Sequence, residues 1–329
     1  MSQKIRARIS GTGSFAPPQL MTNIDFEKIV DTSNEWITSR TGIKERHIAN
    51  ADMTTADMAV QAAMRAMEMA RCEKEEIDLV ICGTVTPDYR LPSNACLIQE
   101  RLGLTNAVAF DVVAACTGFI KGLVIANSHI ETGLHKKALI IGVEKLSAVT
   151  NYKDRTTCVL FGDGAGAVVV EPSTNGCGMI SSFMKSDGRL WQLLWMKVGG
   201  VKNPYTTDFD YNGSDKIYMN GADVFKVAVK EMANAVEVVL EKAGVASSDI
   251  ALFVPHQANL RIIDALAKRL KIEPERVFKN IERYGNTSAA SVPIALDEAN
   301  REGKIKPGDY VVVVAFGGGL IWGAALIKW

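Results

Sequence analysis

The chain has 329 residues, 47% of them hydrophobic and 22% charged, and its 37 basic side chains balance 37 acidic ones. That balance excludes partners gathered by a net field, nucleic acid above all, and the length suits about two domains around a sizeable core. Six cysteines (Cys72, Cys82, Cys96, Cys116, Cys158, Cys177) lie scattered without a Cys-x-x-Cys pair, which suits neither a disulfide framework nor a zinc site and fits reduced thiols in a cytoplasm.

In chain order, "MSQKIRARIS" has basic residues but no apolar stretch behind them, so it does not read as a secretory signal and the protein is expected to be cytoplasmic. "TTADMAVQAAMRAMEMA" (54–70) spaces Ala and Met as a helix does, with Thr54 or Thr55 as N-cap and Asp57 in the first turn. Its methionines read as core filler. "DLVICGT" (78–84), "ALIIGVE" (138–144), "AGAVVVE" (165–171) and "YVVVVAF" (310–316) are near-continuously apolar, as strands covered on both faces are. "GADVFKVAVKEMANAVEVVLEKAG" (221–244) and "NLRIIDALAKRLKI" (259–272) are amphipathic helices, the first closed by a Gly and the second running into Glu273-Pro274. The uncharged run from Val311 to Ile327 is shorter than the roughly 20 residues of a spanning helix and holds three glycines before Leu320, so it reads as two buried strands joined by a Gly turn and no membrane partner is expected.

The two halves repeat this order at one offset: Asp78 and Asp249, Cys116 and Thr287, Leu139 and Tyr310 are equally spaced. A layered α/β architecture of duplicated halves follows, each with its own sheet. Residues 173–215, rich in Gly and carrying "RLWQLLWMKVGG", break the rhythm and read as an insertion joining the halves above a cleft.

Three strand-to-helix junctions carry chemistry. Cys116 in "DVVAACTGFIKGL" stands at a helix start, where unpaired N–H groups and the dipole lower a thiol pKa from about 8.5 toward neutrality. Gly118 and Gly122 would let that helix pack closely on another. His256 in "FVPHQANLRIIDAL" follows an apolar strand, and Asn286 in "RYGNTSAASVPIAL" precedes a run of small residues. Singly, each has a structural reading: core thiol, capping His, helix-capping Asn. "FGDGAGA" looks like a phosphate loop but precedes a strand instead of opening a helix, so packing is the better reading and no dinucleotide is implied.

"DVVAACTGF", "VPHQANLRII", "GNTSAASVPIALDEA", "FGDGAGAVVV" and the closing "AFGGGLIWGAALIKW" closely resemble the β-ketoacyl-[acyl-carrier-protein] synthase III family, the initiating condensing enzymes of bacterial fatty-acid synthesis. The resemblance runs from "ISGTGSFAPP" through "DTSNEWITSRTGIKERHI" to the last residue and weakens at 173–215. It implies a thiolase-like five-layer αβαβα sandwich, with residues 1–172 as the half carrying the Cys and 173–329 as the half carrying the His and Asn. It also implies that Cys116 is acylated by a primer acyl-CoA, that malonyl on acyl carrier protein is decarboxylated, and that the carbanion attacks the acyl-enzyme. His256 and Asn286 are then hydrogen-bond donors to the enolate, while the N–H groups of Cys116 and Gly318 form a second oxyanion hole. Pairing His with Asn fits the initiating type, since elongating synthases use two histidines and thiolases a second cysteine.

The resemblance further assigns Trp36 and Arg155 to an adenine sandwich and Thr32, Arg40, Gly221, Phe225, Ala258 and Asn259 to a CoA tunnel. Lys226, Arg261, Lys268 and Arg269 match a face docking acyl carrier protein, and Leu160, Phe161 and Phe316 an acyl pocket. Leu91 stands where many members have a Phe that reaches across a homodimer into the partner's acyl pocket, so a primer longer than acetyl is open to this chain. Trp191, Trp195 and Thr156 are further departures. Acyl-CoA is a substrate here, with no cofactor and no metal implied. Acetyl-CoA is the expected primer. The alternatives are a relative of secondary metabolism using another primer or acceptor, a non-catalytic acyl-CoA-binding protein of the same fold, and a papain-like protease, which also combines Cys, His and Asn.

Overall fold

The computed structural model describes residues 5–206 and 211–329. The chain opens with β1 (Arg6–Phe15), then β2 (Leu20–Thr22), α1 (Asn23–Glu27), α2 (Asn34–Thr41) and β3 (Glu45–His47). There follow α3 (Thr55–Ala70), β4 (Leu79–Gly83), α4 (Asn94–Leu102), β5 (Val108–Val112), α5 (Gly118–Glu131), β6 (Ala138–Lys145) and β7 (Asp163–Ser173). Next come β8 (Gly178–Ser186), β9 (Leu194–Met196), β10 (Ile217–Met219), α6 (Gly221–Ala243), β11 (Ile250–Pro255) and α7 (Leu260–Leu270). The chain closes with α8 (Ile281–Tyr284), α9 (Ser291–Arg301), β12 (Tyr310–Gly317) and β13 (Ile321–Lys328).

Two sheets carry the architecture, ordered β1-β7-β6-β4-β5 and β8-β13-β12-β11. In each, a parallel pair (β4 with β6, β11 with β12) is continued by an antiparallel strand (β7, β13) and an antiparallel edge (β1, β8). The first sheet adds β5, whereas the second reaches the same place with a single parallel bridge between Phe253 and Val277. The duplication read from the sequence is therefore present in the strand order.

Side-chain alternation decides the layers, because successive strand residues face opposite sides. Leu79, Ile81 and Ile140 face inward with Val311 and Val313, around α5 and α9 in the middle layer. Val80, Cys82, Leu139 and Ile141 face outward to α3 and α4, and Val312, Val314 and Phe316 face the other outer layer of α6 and α7. Strands buried on both faces have no polar side, which explains their unbroken apolar runs. The result is the five-layer αβαβα sandwich.

Local chemistry sets the element ends. Thr54 and Asp57 form a reciprocal capping box on α3, and α6 stops at left-handed Gly244. The alanines of α3 exist for close approach: a Cβ on Gly11 of β1 would lie 2.3 Å from the carbonyl oxygen of Ala66. The glycines of "FGDGAGA" do the same within β7, where a Cβ on Gly166 would meet the backbone of Pro293 and Ile294 at 2.7 Å, so the packing reading holds.

Three expectations are corrected. Residues 178–186 are not part of a joining insertion but the edge strand β8; its apolar and polar residues come in pairs and not in alternation, which hid it behind the neighbouring glycines. Residues 207–210 of that expected insertion lie outside the described residues. Gly118 and Gly122 face chiefly the sheet and not another helix: a Cβ on the first would touch Gly83 of β4 and, at 3.5 Å, Ala289 in the turn that opens α9, and one on the second would touch Ile140 and Ile81. The constant offset also drifts, because Ala115 (φ 44°) and Ser288 (φ 48°) occupy equivalent left-handed turns, so Cys116 corresponds to Ala289 and not to Thr287.

One segment crosses between the halves. Residues 20–47 pack on the α6–α7 side, with Phe26, Ile37 and Ile43 in that core, and Asn259 donates its side-chain amide to the carbonyl of Arg40 at 3.1 Å. This crossing builds the rim of the site.

Candidate active site

The turn from β5 to α5 sets Cys116. Ala115 adopts the left-handed region and a short 3₁₀ turn, Ala115–Thr117, leads into the helix at Gly118. Only small neighbours permit this: a Cβ on Gly317 would lie 2.7 Å from the Cys116 nitrogen, and one on Gly83 would lie 2.6 Å from the Gly118 carbonyl carbon. Cys116 is 9% exposed. Burial pushes its thiol up to about 12, opposed by a hydrogen bond from the Ser288 side chain. The direction is opposite to the lowering expected from the helix start, and its cause is desolvation of the buried thiol.

His256 follows β11 and donates its N–H to the carbonyl of Val314 at 2.8 Å, continuing the β11–β12 ladder. Its Nδ1 lies 2.5 Å from Oγ of Ser291, the first residue of α9, and that oxygen also accepts the Gln257 N–H at 3.4 Å. When the serine hydroxyl donates to Nδ1, the imidazole carries its proton on Nε2. Burial lowers its pKa to about 3, so the ring is a neutral donor.

Asn286 is held at both backbone ends, its N–H donating to Leu160 O at 2.8 Å and its carbonyl accepting from Gly162 N–H at 3.1 Å. Its Oδ1 accepts the Ser288 N–H at 2.8 Å, which leaves the NH₂ for the cavity. Asn286 therefore caps its own turn and not α9, whose N-cap is Ala290.

Cys116, His256 and Asn286 line one cavity of about 720 Å³. Its walls include Leu160, Leu194, Met219, Met232 and Phe316, and its mouth Trp36, Arg40, Gly221, Phe225, Ala258 and Asn259, with Lys226 and Arg261 beside them. Leu194, in the segment expected to cover a cleft, does so. Arg155 lies with its guanidinium 5.5 Å from the Trp36 ring, and Arg40 lies 5.2 Å from it. A purine between Trp36 and Arg155 requires that guanidinium to move outward, away from its bonds to Asp31.

The structure does not bring every expected residue to this cavity. Thr32 is off its lining, with a buried hydroxyl that lacks a partner. Phe161 is buried in the bridge to Asn286, behind the wall. Gly318 is off the lining, and a Cβ there would meet the carbonyl oxygen of Leu194. Lys268 and Arg269 are exposed in the last turn of α7, away from the mouth, and Leu91 is 87% exposed. Sequence reasoning missed Ser288 and Ser291, which stand in the quoted "GNTSAAS", and Glu144, which closes "ALIIGVE". A carboxylate ending a fully buried strand was the available signal for the last.

Paired sheets around two central helices, with a thiol where strand turns into helix, make this a thiolase-like condensing enzyme. Comparison with known proteins narrows the class. Family models described as 3-oxoacyl-[acyl-carrier-protein] synthase III match residues 110–188, and its C-terminal part residues 240–329. A β-ketoacyl-[acyl-carrier-protein] synthase III of Caldanaerobacter subterraneus is 51% identical over 100% of this chain and 99% of its own. The crystal structure of a 3-oxoacyl-[acyl-carrier-protein] synthase III from Aquifex aeolicus superposes with a TM-score of 0.91 at 50% identity, covering 98% of this chain and 100% of that one. The priming β-ketosynthase of the R1128 polyketide pathway superposes at 0.92 with 36% identity, covering 100% and 97%. The chain belongs to the β-ketoacyl-[acyl-carrier-protein] synthase III family and is an acyltransferase. The protease reading falls with that.

Proposed function

We propose that Cys116 takes an acyl group from acyl-CoA and passes it to the carbanion formed by decarboxylation of malonyl-acyl-carrier protein, giving a β-ketoacyl product. The observation that carries this is the convergence of Cys116, His256 and Asn286, from three junctions and both halves, at one cavity. Sγ attacks the thioester carbon and CoA leaves. The emptied tunnel then admits the malonyl thioester. Its carboxylate departs as CO₂ while negative charge gathers on the thioester oxygen, where Nε2–H of His256 and the NH₂ of Asn286 are the donors. Both are neutral and keep their protons, as an enolate site requires. The N–H groups of Cys116 and Gly318 serve the tetrahedral intermediate on the thiol.

Trp36, Arg40, Arg155, Gly221, Phe225, Ala258 and Asn259 form the CoA channel, with Thr32 behind it. Lys226 and Arg261 at the mouth, extended by Lys268 and Arg269 along α7, receive the acidic carrier protein. Leu160, Phe161 and Phe316 bound the acyl group, whose preferred form is acetyl. The half boundary lies at 172/173, in the crossing from β7 to β8. A homodimer is supported by the outer edge of β5, with exposed Val108 on it and Val113 just after it, and by exposed Leu91. There Leu91 of one protomer closes the partner's acyl pocket. The chemistry needs only side chains and backbone of the chain, with no cofactor. No helix among the described residues is long and apolar enough to cross a membrane; a cytoplasmic location fits the CoA substrate.

Intact mass after incubation with labelled acetyl-, butyryl- and isobutyryl-CoA tests the reading. One acyl adduct, mapped to Cys116 and chased by malonyl-acyl-carrier protein, is expected. An adduct elsewhere refutes the site. A strong preference for the branched primer refutes acetyl, and indifference to malonyl-acyl-carrier protein favours the secondary-metabolism reading that the likeness to the priming ketosynthase supports.

A further inference from the structure

The site described so far has no group to receive the thiol proton. His256 is buried, neutral and weakly basic, and its Nδ1 is already engaged by Ser291. Behind the nucleophile, however, lies Glu144 at the end of β6, fully buried. Its carboxyl accepts from Val85 N–H at 3.1 Å, Thr86 Oγ1 at 2.6 Å, Thr84 Oγ1 at 3.2 Å and Ser288 Oγ at 3.2 Å. Among the described residues no cation pairs with it, since Lys145 turns its ammonium to the carbonyls of Asn50, Ala51 and Met53. Ser288 is a junction: its hydroxyl donates to Glu144, its turn packs against the turn that carries Cys116, where its side chain favours the thiolate, and its N–H holds Asn286.

We propose that Glu144, acting through the Ser288 hydroxyl, takes up the Cys116 proton during acylation and returns it at the end of each cycle. As Sγ bonds to the thioester carbon, the thiol proton passes to Ser288 Oγ and the serine proton to Glu144 Oε1; the carbon–sulfur bond to CoA breaks, and the CoA thiolate is protonated by solvent. After condensation the tetrahedral intermediate expels the Cys116 thiolate, and the two protons move back. Glu144 is a positioning residue in this scheme, since it touches no substrate. Burial raises its pKa to about 7, a value suited to reversible transfer at neutral pH. The titratable groups facing it are the thiols of Cys116 on the α5 turn and Cys82 on β4, both more weakly acidic.

The relay rests on Cys116 as nucleophile, and the experiment separates the two. Single-turnover acylation by acetyl-CoA is followed by quenched intact mass with peptide mapping, from pH 5.5 to 9.5, in wild type, Glu144→Gln and Ser288→Ala. Malonyl-acyl-carrier-protein decarboxylation is measured alongside. Wild-type acylation rises with an apparent pKa near 7. Each variant slows acylation at pH 7 by about 100-fold, recovers as pH rises toward 9.5, and decarboxylates within about threefold of wild type. Ser288→Ala keeps the N–H that holds Asn286. A wild-type acylation rate flat through pH 7, a variant acylating normally, or equal loss of both half-reactions would overturn the relay; an adduct away from Cys116 overturns the site instead. If a variant does not fold, the wild-type profile decides.

Discussion

The turn before α5 and the turn before α9 are built alike and used differently. Both place a left-handed non-glycine residue, Ala115 or Ser288, in a short 3₁₀ turn that opens a central helix. The first points a thiol into the cavity; the second sends its serine back toward Glu144 and the thiol, and holds Asn286. Duplication supplied two equal pedestals, and the chemistry was divided between them. One half carries the nucleophile, the other the donors and their supports.

The sharpest way to break that division is to remove the thiol. Cys116→Ala abolishes the acyl adduct, a loss of at least about 10³-fold in the mass assay. An adduct that survives Cys116→Ala but disappears in Ser288→Ala would give the nucleophile to the other turn. Next, His256→Ala and Asn286→Ala each slow malonyl decarboxylation by about 10²–10³-fold, read as CO₂ release, while acylation of Cys116 changes by less than about tenfold.

The seat of the second pedestal on β6 can be tested separately. A Cβ on Gly142 would lie 2.1 Å from the carbonyl oxygen of Ala289, whereas one on Gly188 meets nothing within 4 Å. Gly142→Ala therefore costs about 1–3 kcal/mol in urea unfolding and Gly188→Ala close to nothing. The donor half also carries a pH signature. His256 binds protons below about 6.5 when unfolded but only near 3 when folded. Its contribution to stability is full above that unfolded value and is lost as pH falls, reaching about 2 kcal/mol at pH 5. The stability gap between wild type and His256→Gln, measured by urea at pH 7 and pH 5, narrows by that amount. The smallest effect is at the rim: Arg155→Ala raises KM for acyl-CoA about two- to fivefold with kcat unchanged, as loss of an exposed stacking contact implies.

Much of this was legible from residues alone. Apolar runs without alternation specify strands covered twice, and Thr54 with Asp57, Gly244 and the Gly turn at 317–319 specify ends. The junction residues could be named because Cys116 and Asn286 stand among small neighbours and His256 follows an apolar strand. What stayed hidden depends on the third dimension. β8 pairs its polar and apolar residues instead of alternating them and has flanking glycines, so it read as loop. The crossing of residues 20–47 onto α7 has no periodic signature. The thiol environment could not be read either, since a local dipole argument ignores the surrounding apolar walls that raise Cys116. Glu144 stands near the end of a strand in plain view, but in sequence a carboxylate without its serine and threonine partners carries no functional signal.

The glycine contacts behind Cys116 bear on how this protein can diverge. Gly83, Gly142 and Gly317 hold the turns around the nucleophile, and a methyl group on any of them would come within 2.7 Å of a backbone atom. That side of the cavity has no mutational freedom. The opposite side is made of side chains, Leu160, Leu194, Met219 and Phe316, whose shapes can change without moving the thiol. New primers are therefore gained by altering these wall side chains, contributed by both halves, while the catalytic floor stays fixed.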